Sequence, residues 1–259
     1  FEPYNEKVIS NLREIFASRL FKHVIVNMPA VYAYLINELG VDASKVSFIY
    51  AGPLIINNDQ AKTITTDVRK FHPRIRVVFC AHCYSKFGIE KGFDVFSRVA
   101  AELKNEEFEF VAIGDYTCEN ILSADTSIEF WGQSNPSELG AILAECDIVL
   151  SPNRAFVNHS QFDGFPTGAV IYASLSSCLM MVTDSFDNAP ELGLKDCDDL
   201  IIISDRVSEI TEKLRWISNN RPQAQKIAAN GKAKLAEYFS DEYQLSQRLE
   251  IIERTLTSL

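Results

Sequence analysis

Short apolar runs alternate along this chain with stretches whose apolar residues recur every three or four positions. Residues 23–27, 45–50, 75–81, 108–113, 127–131, 147–150, 178–183 and 200–203 are rich in Val, Ile, Leu, Phe and Met, and several close on Gly, Pro or Asp. Val8, Leu12, Ile15 and Phe16 have helical spacing, as do Val31, Tyr34, Leu35 and Leu39. Phe93, Phe96, Val99, Ala100 and Leu103 stripe a third helix, and Leu245, Leu249, Ile252 and Leu256 stripe the last. An apolar stripe of this kind must be buried against something. Strands that are apolar throughout, alternating with helices, predict a parallel sheet covered on both faces, hence a doubly wound α/β fold. The polar stretch 57–73 reads as a linker. It divides a front segment, 1–56, from the regular α/β unit, 74–240, and a final helix occupies 241–259.

Composition narrows the function classes. Of 259 residues, 47% are hydrophobic and 23% charged, enough apolar material for a packed core. A formal net charge of −10 argues against a nucleic-acid-binding surface, although a few placed lysines can still hold a small anion. The six cysteines form no disulfide pattern, no apolar run is long enough to span a bilayer and no signal peptide is evident. The expectation is a cytoplasmic protein. The first residue is Phe1 rather than Met, which suggests a piece of a longer chain.

Ligands of doubly wound sheets bind beyond the carboxyl ends of the strands. Two loops there carry candidate chemistry. One holds Lys86 and Lys91 around Gly88, two ammonium groups able to neutralise a diphosphate. The other is Asp163-Gly164-Phe165-Pro166-Thr167-Gly168, a glycine-bearing turn ahead of an apolar helix. Pro166 suits the first helical position, and amides from Gly164 onward would then face an anion. Asp163 could bond sugar hydroxyls, or simply cap the helix. Cys80-Ala81-His82-Cys83 has metal or redox spacing but no matching second pair, so buried cysteines at a strand end are expected. Asp196-Cys197-Asp198 reads as a solvated turn, and Trp131 either stacks on a base or packs in the core.

Taken in order, these pieces resemble the family 4 glycosyltransferases. The segment 85–92, SKFGIEKG, is similar to their phosphate-contacting loop, with Lys86 where the family has arginine and Lys91 where it has lysine. The strand ending Gly114-Asp115, the strand ending Trp131-Gly132 with a base-side loop after it, and the segment 147–152 follow with the family's spacing. Asp163-Gly164-Phe165 falls on its Glu-Gly-Phe, one methylene shorter, and Tyr172 stands where its second glutamate contacts ribose. The resemblance covers residues 46–239. It implies the GT-B fold, two Rossmann-like halves with the site between them. Residues 74–240 would be the nucleotide-sugar-binding half and 1–56 the end of the acceptor half, with 241–259 crossing back.

The implied activity is metal-independent hexosyl transfer with retention from a nucleotide sugar to a glycan or lipid-linked acceptor, as in surface-polysaccharide assembly. No cofactor and no nucleic acid are implied, and peripheral attachment to a membrane is compatible with the acceptor. Asp163 would orient the sugar. Lys86 and Lys91 would grip the diphosphate, with Gly164, Phe165, Pro166 and Thr167 assisting. Tyr172, Trp131 and Gly132 would lie near the nucleoside. Two alternatives stay open: a non-catalytic nucleotide-sugar-binding or scaffold module, and a GT-B sugar-nucleotide epimerase.

Overall fold

The computed structural model describes residues 5–50, 52, 70–121, 127–157 and 162–257. Most of the expected linker, 57–69, lies outside them. Two parallel sheets are present. The smaller pairs β1 (Val24–Val26) with β2 (Val46–Phe48), preceded by α1 (Glu6–Ala17) and joined through α2 (Pro29–Asn37). The larger contains β3 (Ile75–Cys80), β4 (Phe108–Ile113), β5 (Ile128–Gly132), β6 (Ile148–Ser151), β7 (Leu179–Val182) and β8 (Ile201–Ile202). Its spatial order is β5-β4-β3-β6-β7-β8, every pair parallel. The doubly wound fold expected from the apolar runs is therefore the fold observed. The order reverses between β3 and β6, and that switch point opens a crevice at the carboxyl ends of the strands.

Alternation along each strand feeds two cores. Ile75, Val77 and Phe79 of β3, Ile148 and Leu150 of β6, and Leu179 and Met181 of β7 point to one face. There they meet α3 (Phe93–Glu102), α6 (Val207–Asn219) and the start of α7 (Arg221–Tyr238). Val78, Val149, Met180 and Val182 point the other way, against α4 (Pro136–Leu143), α5 (Gly168–Leu175) and the end of α7. Strand side chains alternate between the faces, so a continuous apolar run can fill both. Phe79, Phe93, Phe96 and Tyr116 form an aromatic knot in the first core, with Phe93 stacked on Tyr116 at 4.2 Å between centroids. Such pairs contribute about 0.5–1.5 kcal/mol each beyond their buried area.

The last helix, α8 (Asp241–Thr257), buries only Gln244 and leaves Leu245, Leu249, Ile252 and Leu256 exposed. It returns to the small sheet, where Arg248 donates to the Tyr50 carbonyl at 3.3 Å just past β2. The Tyr50 hydroxyl in turn donates to Glu191 Oε2 at 3.1 Å, tying the small unit to the large one. Burial, followed by the bond to Glu191, raises the Tyr50 hydroxyl above the ordinary tyrosine range, so it stays a donor. Met28, at the head of α2, faces Gly164 of the Asp163 loop.

Candidate functional site

The Lys91 turn closes the loop that leaves β3. Gly88 (φ +55°) and Gly92 (φ +77°) bracket a short 3-10 turn, Ile89–Lys91, in a left-handed conformation that glycine adopts without strain. A Cβ on Gly92 would also run into the Pro152 carbonyl, so the turn lies directly on the chain leaving β6. This seats Lys91 at the switch point. Its ammonium donates to Asp163 Oδ1 at 2.6 Å and Oδ2 at 2.7 Å, joining residues 72 apart in sequence. The lysine side chain is 15% exposed and the aspartate 31%, so the pair is sheltered but reachable. Tyr84 lends its ring face to the same ammonium, 5.2 Å from the centroid.

Asn153 completes the cluster. Its Nδ2 donates to Asp163 Oδ2 at 3.0 Å. The last residue of β6 and the first beyond β7 hold it in place: Ser151 Oγ donates to its Oδ1 at 3.4 Å and Thr183 Oγ1 to its carbonyl at 2.6 Å. Arg154 follows, and its amide donates to the Glu90 carbonyl at 3.0 Å. Its guanidinium bonds Asp94 Oδ2 at 2.9 Å and pairs with Asp205 at 3.1 Å. Glu90 and Asp94 are both buried, and Ser85 Oγ donates to Glu90 Oε2 at 2.6 Å. The Lys91 turn is thereby anchored from beneath by Arg154. Asn153, Arg154 and the burial of Glu90 and Asp94 are not evident in the sequence. Their one signal is position, immediately after a strand that flanks the switch point.

The Asp163 loop corrects two expectations. Pro166 is not the first helical residue; α5 starts at Gly168, and Thr167 is its cap, the Thr167 hydroxyl accepting from the Val170 amide at 3.5 Å. The forward-facing helical amides are therefore those after Thr167, and Pro166, joined to Phe165 by a cis peptide, precedes the helix. Asp163 is not a helix cap either, because its carboxylate is occupied by Lys91 and Asn153. Gly164, Phe165, Pro166 and Thr167 line a pocket with Asp163 and Asn153, although the Phe165 side chain itself is buried in the second core.

The remaining candidates lie apart from this cluster. Lys86 is exposed with its ammonium 5.3 Å from the Phe87 ring, and its carbonyl accepts from Asn120 at 2.7 Å. Trp131 packs on the second core with the Arg76 guanidinium 5.5 Å from its ring. Gly132 (φ +73°) ends β5 and accepts from the Gly114 amide at 2.9 Å. Tyr172, on α5, rests against the second core.

Cys80 packs toward the second core and Cys83 toward the first, so their thiols do not converge. Burial pushes the Cys80 thiol up to about 12, and burial followed by Asp115 and Glu90 raises that of Cys83. Both stay protonated at neutral pH, unsuited to metal ligation or nucleophilic attack. Asp196 Oδ1 accepts from the Ile202 amide at 2.8 Å, tying its turn to β8. Among the described residues, no group of three or more His, Cys, Asp or Glu side chains is arranged to hold a metal.

The comparisons with known proteins agree with this geometry. Residues 74–220 match the family Glycosyl transferases group 1, more than half of the chain, and the chain belongs to that family. Its fold is shared with a glycosyltransferase from Rickettsia africae (TM-score 0.69, 15% identity, 95% of this chain and 67% of that one). It is shared equally with Anabaena HepE in complex with UDP and glucose (0.68, 17%, 100% and 68%). A sucrose-phosphate synthase from Thermosynechococcus elongatus is similar over 98% of this chain and 63% of its own (0.68, 13%). These neighbours are GT-B glycosyltransferases, of which this chain spans about two thirds. No curated protein matches it.

Proposed function

We propose that this chain binds a nucleotide-sugar donor at the switch point between β3 and β6 and transfers its sugar as a glycosyltransferase. The observation that carries this reading is the Lys91–Asp163 pair. It joins a cation suited to a diphosphate and a carboxylate suited to sugar hydroxyls in one sheltered position of a group 1 fold. Lys91 neutralises the phosphates of the donor and the charge that grows on them as the glycosidic bond breaks. Preorganised charge of this kind is commonly the largest catalytic contribution. Asp163 holds the sugar by its hydroxyls, and the backbone around Gly164–Thr167 borders it. Lys86, exposed on the same loop, folds onto the phosphates only once they are present. Retention of configuration, hexosyl transfer without a metal, and a glycan or lipid-linked acceptor belong to the same reading, drawn from the resemblance. A UDP donor is the first to test, because HepE is similar in fold and binds UDP and glucose.

Isothermal titration of this chain with UDP and UDP-glucose in EDTA, with ADP and GDP as controls, tests the site. Saturable binding of a nucleoside diphosphate that Lys91→Ala weakens at least tenfold is expected. Silence toward every nucleotide and nucleotide sugar overturns the reading. One observation favours the binding-module alternative: Tyr172, at the position of the ribose-contacting glutamate, is half-buried and rests against the core. Donor binding without transfer to any glycan acceptor would support that alternative.

A further inference from the structure

We infer that Asn153 is a positioning residue for Asp163, keeping the carboxylate aimed at the sugar when Lys91 turns to the donor's diphosphate. The inference rests on the donor-site reading above. Among the described residues, Asp163 has two side-chain partners, Lys91 on both oxygens and Asn153 on Oδ2. They differ in how firmly they are held. Lys91 ends a flexible four-carbon stem, and an ammonium drawn to a diphosphate reduces its bonds to Asp163. Asn153 cannot leave in that way, because its carbonyl is held by Thr183 and its side chain by Ser151. Its amide is therefore the contact that persists through donor binding. A carboxylate that kept no partner would rotate into whatever geometry solvent offered, and the sugar would meet a disordered acceptor of hydrogen bonds. With Asn153 in place, Oδ2 is pinned to the carboxyl end of β6 and Oδ1 is released toward the ligand.

The role predicts a split between ligands. Free UDP engages Lys91 and needs no ordered Asp163; UDP-glucose needs both. In titrations of the full chain, Asn153→Ala should keep its affinity for UDP within about twofold and lose about tenfold for UDP-glucose, the scale of a hydrogen bond to a charged group. Asn153→Ser removes the same bond with less loss of volume, and should behave alike if the alanine variant folds poorly. Because Asn153 acts through Asp163, adding Asn153→Ala to Asp163→Ala should bring no further loss for UDP-glucose. Equal losses for UDP and UDP-glucose would reduce Asn153 to a general support of the fold and overturn the inference. So would an additive double variant, or unchanged UDP-glucose affinity in both single variants. If the parent chain binds neither ligand, the donor-site reading fails and this inference with it; a parent that binds both while the Asn153 variants match it sinks the inference alone.

Discussion

Asp147 and Asp163 stand at opposite ends of the same sheet, and both accept several hydrogen bonds. Asp147 precedes β6 at its amino end and is fully buried. It takes the amides of His72 (3.2 Å to each oxygen) and Arg76 (2.9 Å) and the His72 ring nitrogen at 3.0 Å. Asp163, beyond the carboxyl end, takes only side chains among the described residues, one of them a lysine. Backbone amides such as those of His72 and Arg76 cannot leave without displacing the chain at and just before β3. A lysine and an asparagine can be shared with a ligand. The kind of partner thus separates a carboxylate that closes the fold from one that is ready for exchange.

The largest test of the contrast is Asp147→Ala. It strands the amides of His72 and Arg76 and the His72 ring at a fully buried carboxylate's place, so urea unfolding should show a loss of about 3 kcal/mol. UDP affinity of the molecules that remain folded should not change. Lys91→Ala comes next. Titration should show at least tenfold weaker UDP binding, about 1.4 kcal/mol, with a smaller loss for Lys86→Ala. A larger effect at Lys86 would move the phosphate grip out of the sheltered pair.

Asp163→Asn should leave stability within about 0.5 kcal/mol, since the site is partly exposed and the amide keeps one acceptor. Because it releases Lys91, affinity for free UDP should hold or rise slightly while affinity for UDP-glucose falls. A stability loss as large as that of Asp147→Ala would erase the comparison. Glu209 sharpens it at the smallest scale. The Ser204 hydroxyl, with help from Arg206 and the Ser204 amide, lowers its carboxyl to about 2 against some burial. A depressed pKa contributes stability that is complete above the unfolded value near 4.5 and lost as pH falls toward 2. The unfolding midpoint of Glu209→Gln should accordingly lie below the parent's at pH 6 and converge on it near pH 2.

Much of the fold is legible in the sequence because both of its periodicities come from burial. Strands such as 75–80 and 148–151 are apolar on both faces, and the helix beginning at Phe93 is apolar on one stripe. Turn chemistry is less legible. Pro166 has the residue type for a helix start, yet Thr167 offers a better cap, and the hydroxyl decides where α5 begins. Lys91 and Asp163 stand out as candidate chemistry on their own loops, but nothing local to either reports a partner 72 residues away. Arg154 is harder still. A lone arginine after a strand reads as solvated, and only the assembled switch point shows Asp94 and Asp205 closing around its guanidinium.

Gly92 has a mechanical consequence. With no side chain between them, the Lys91 turn and the exit of β6 lie backbone on backbone at Pro152, one residue before Asn153. Thermal drift of either segment is then carried to the other, as in two plates bolted without a washer. The gap from Lys91 to Asn153 keeps its width under that drift, whereas a methyl group at position 92 would act as a shim and widen it.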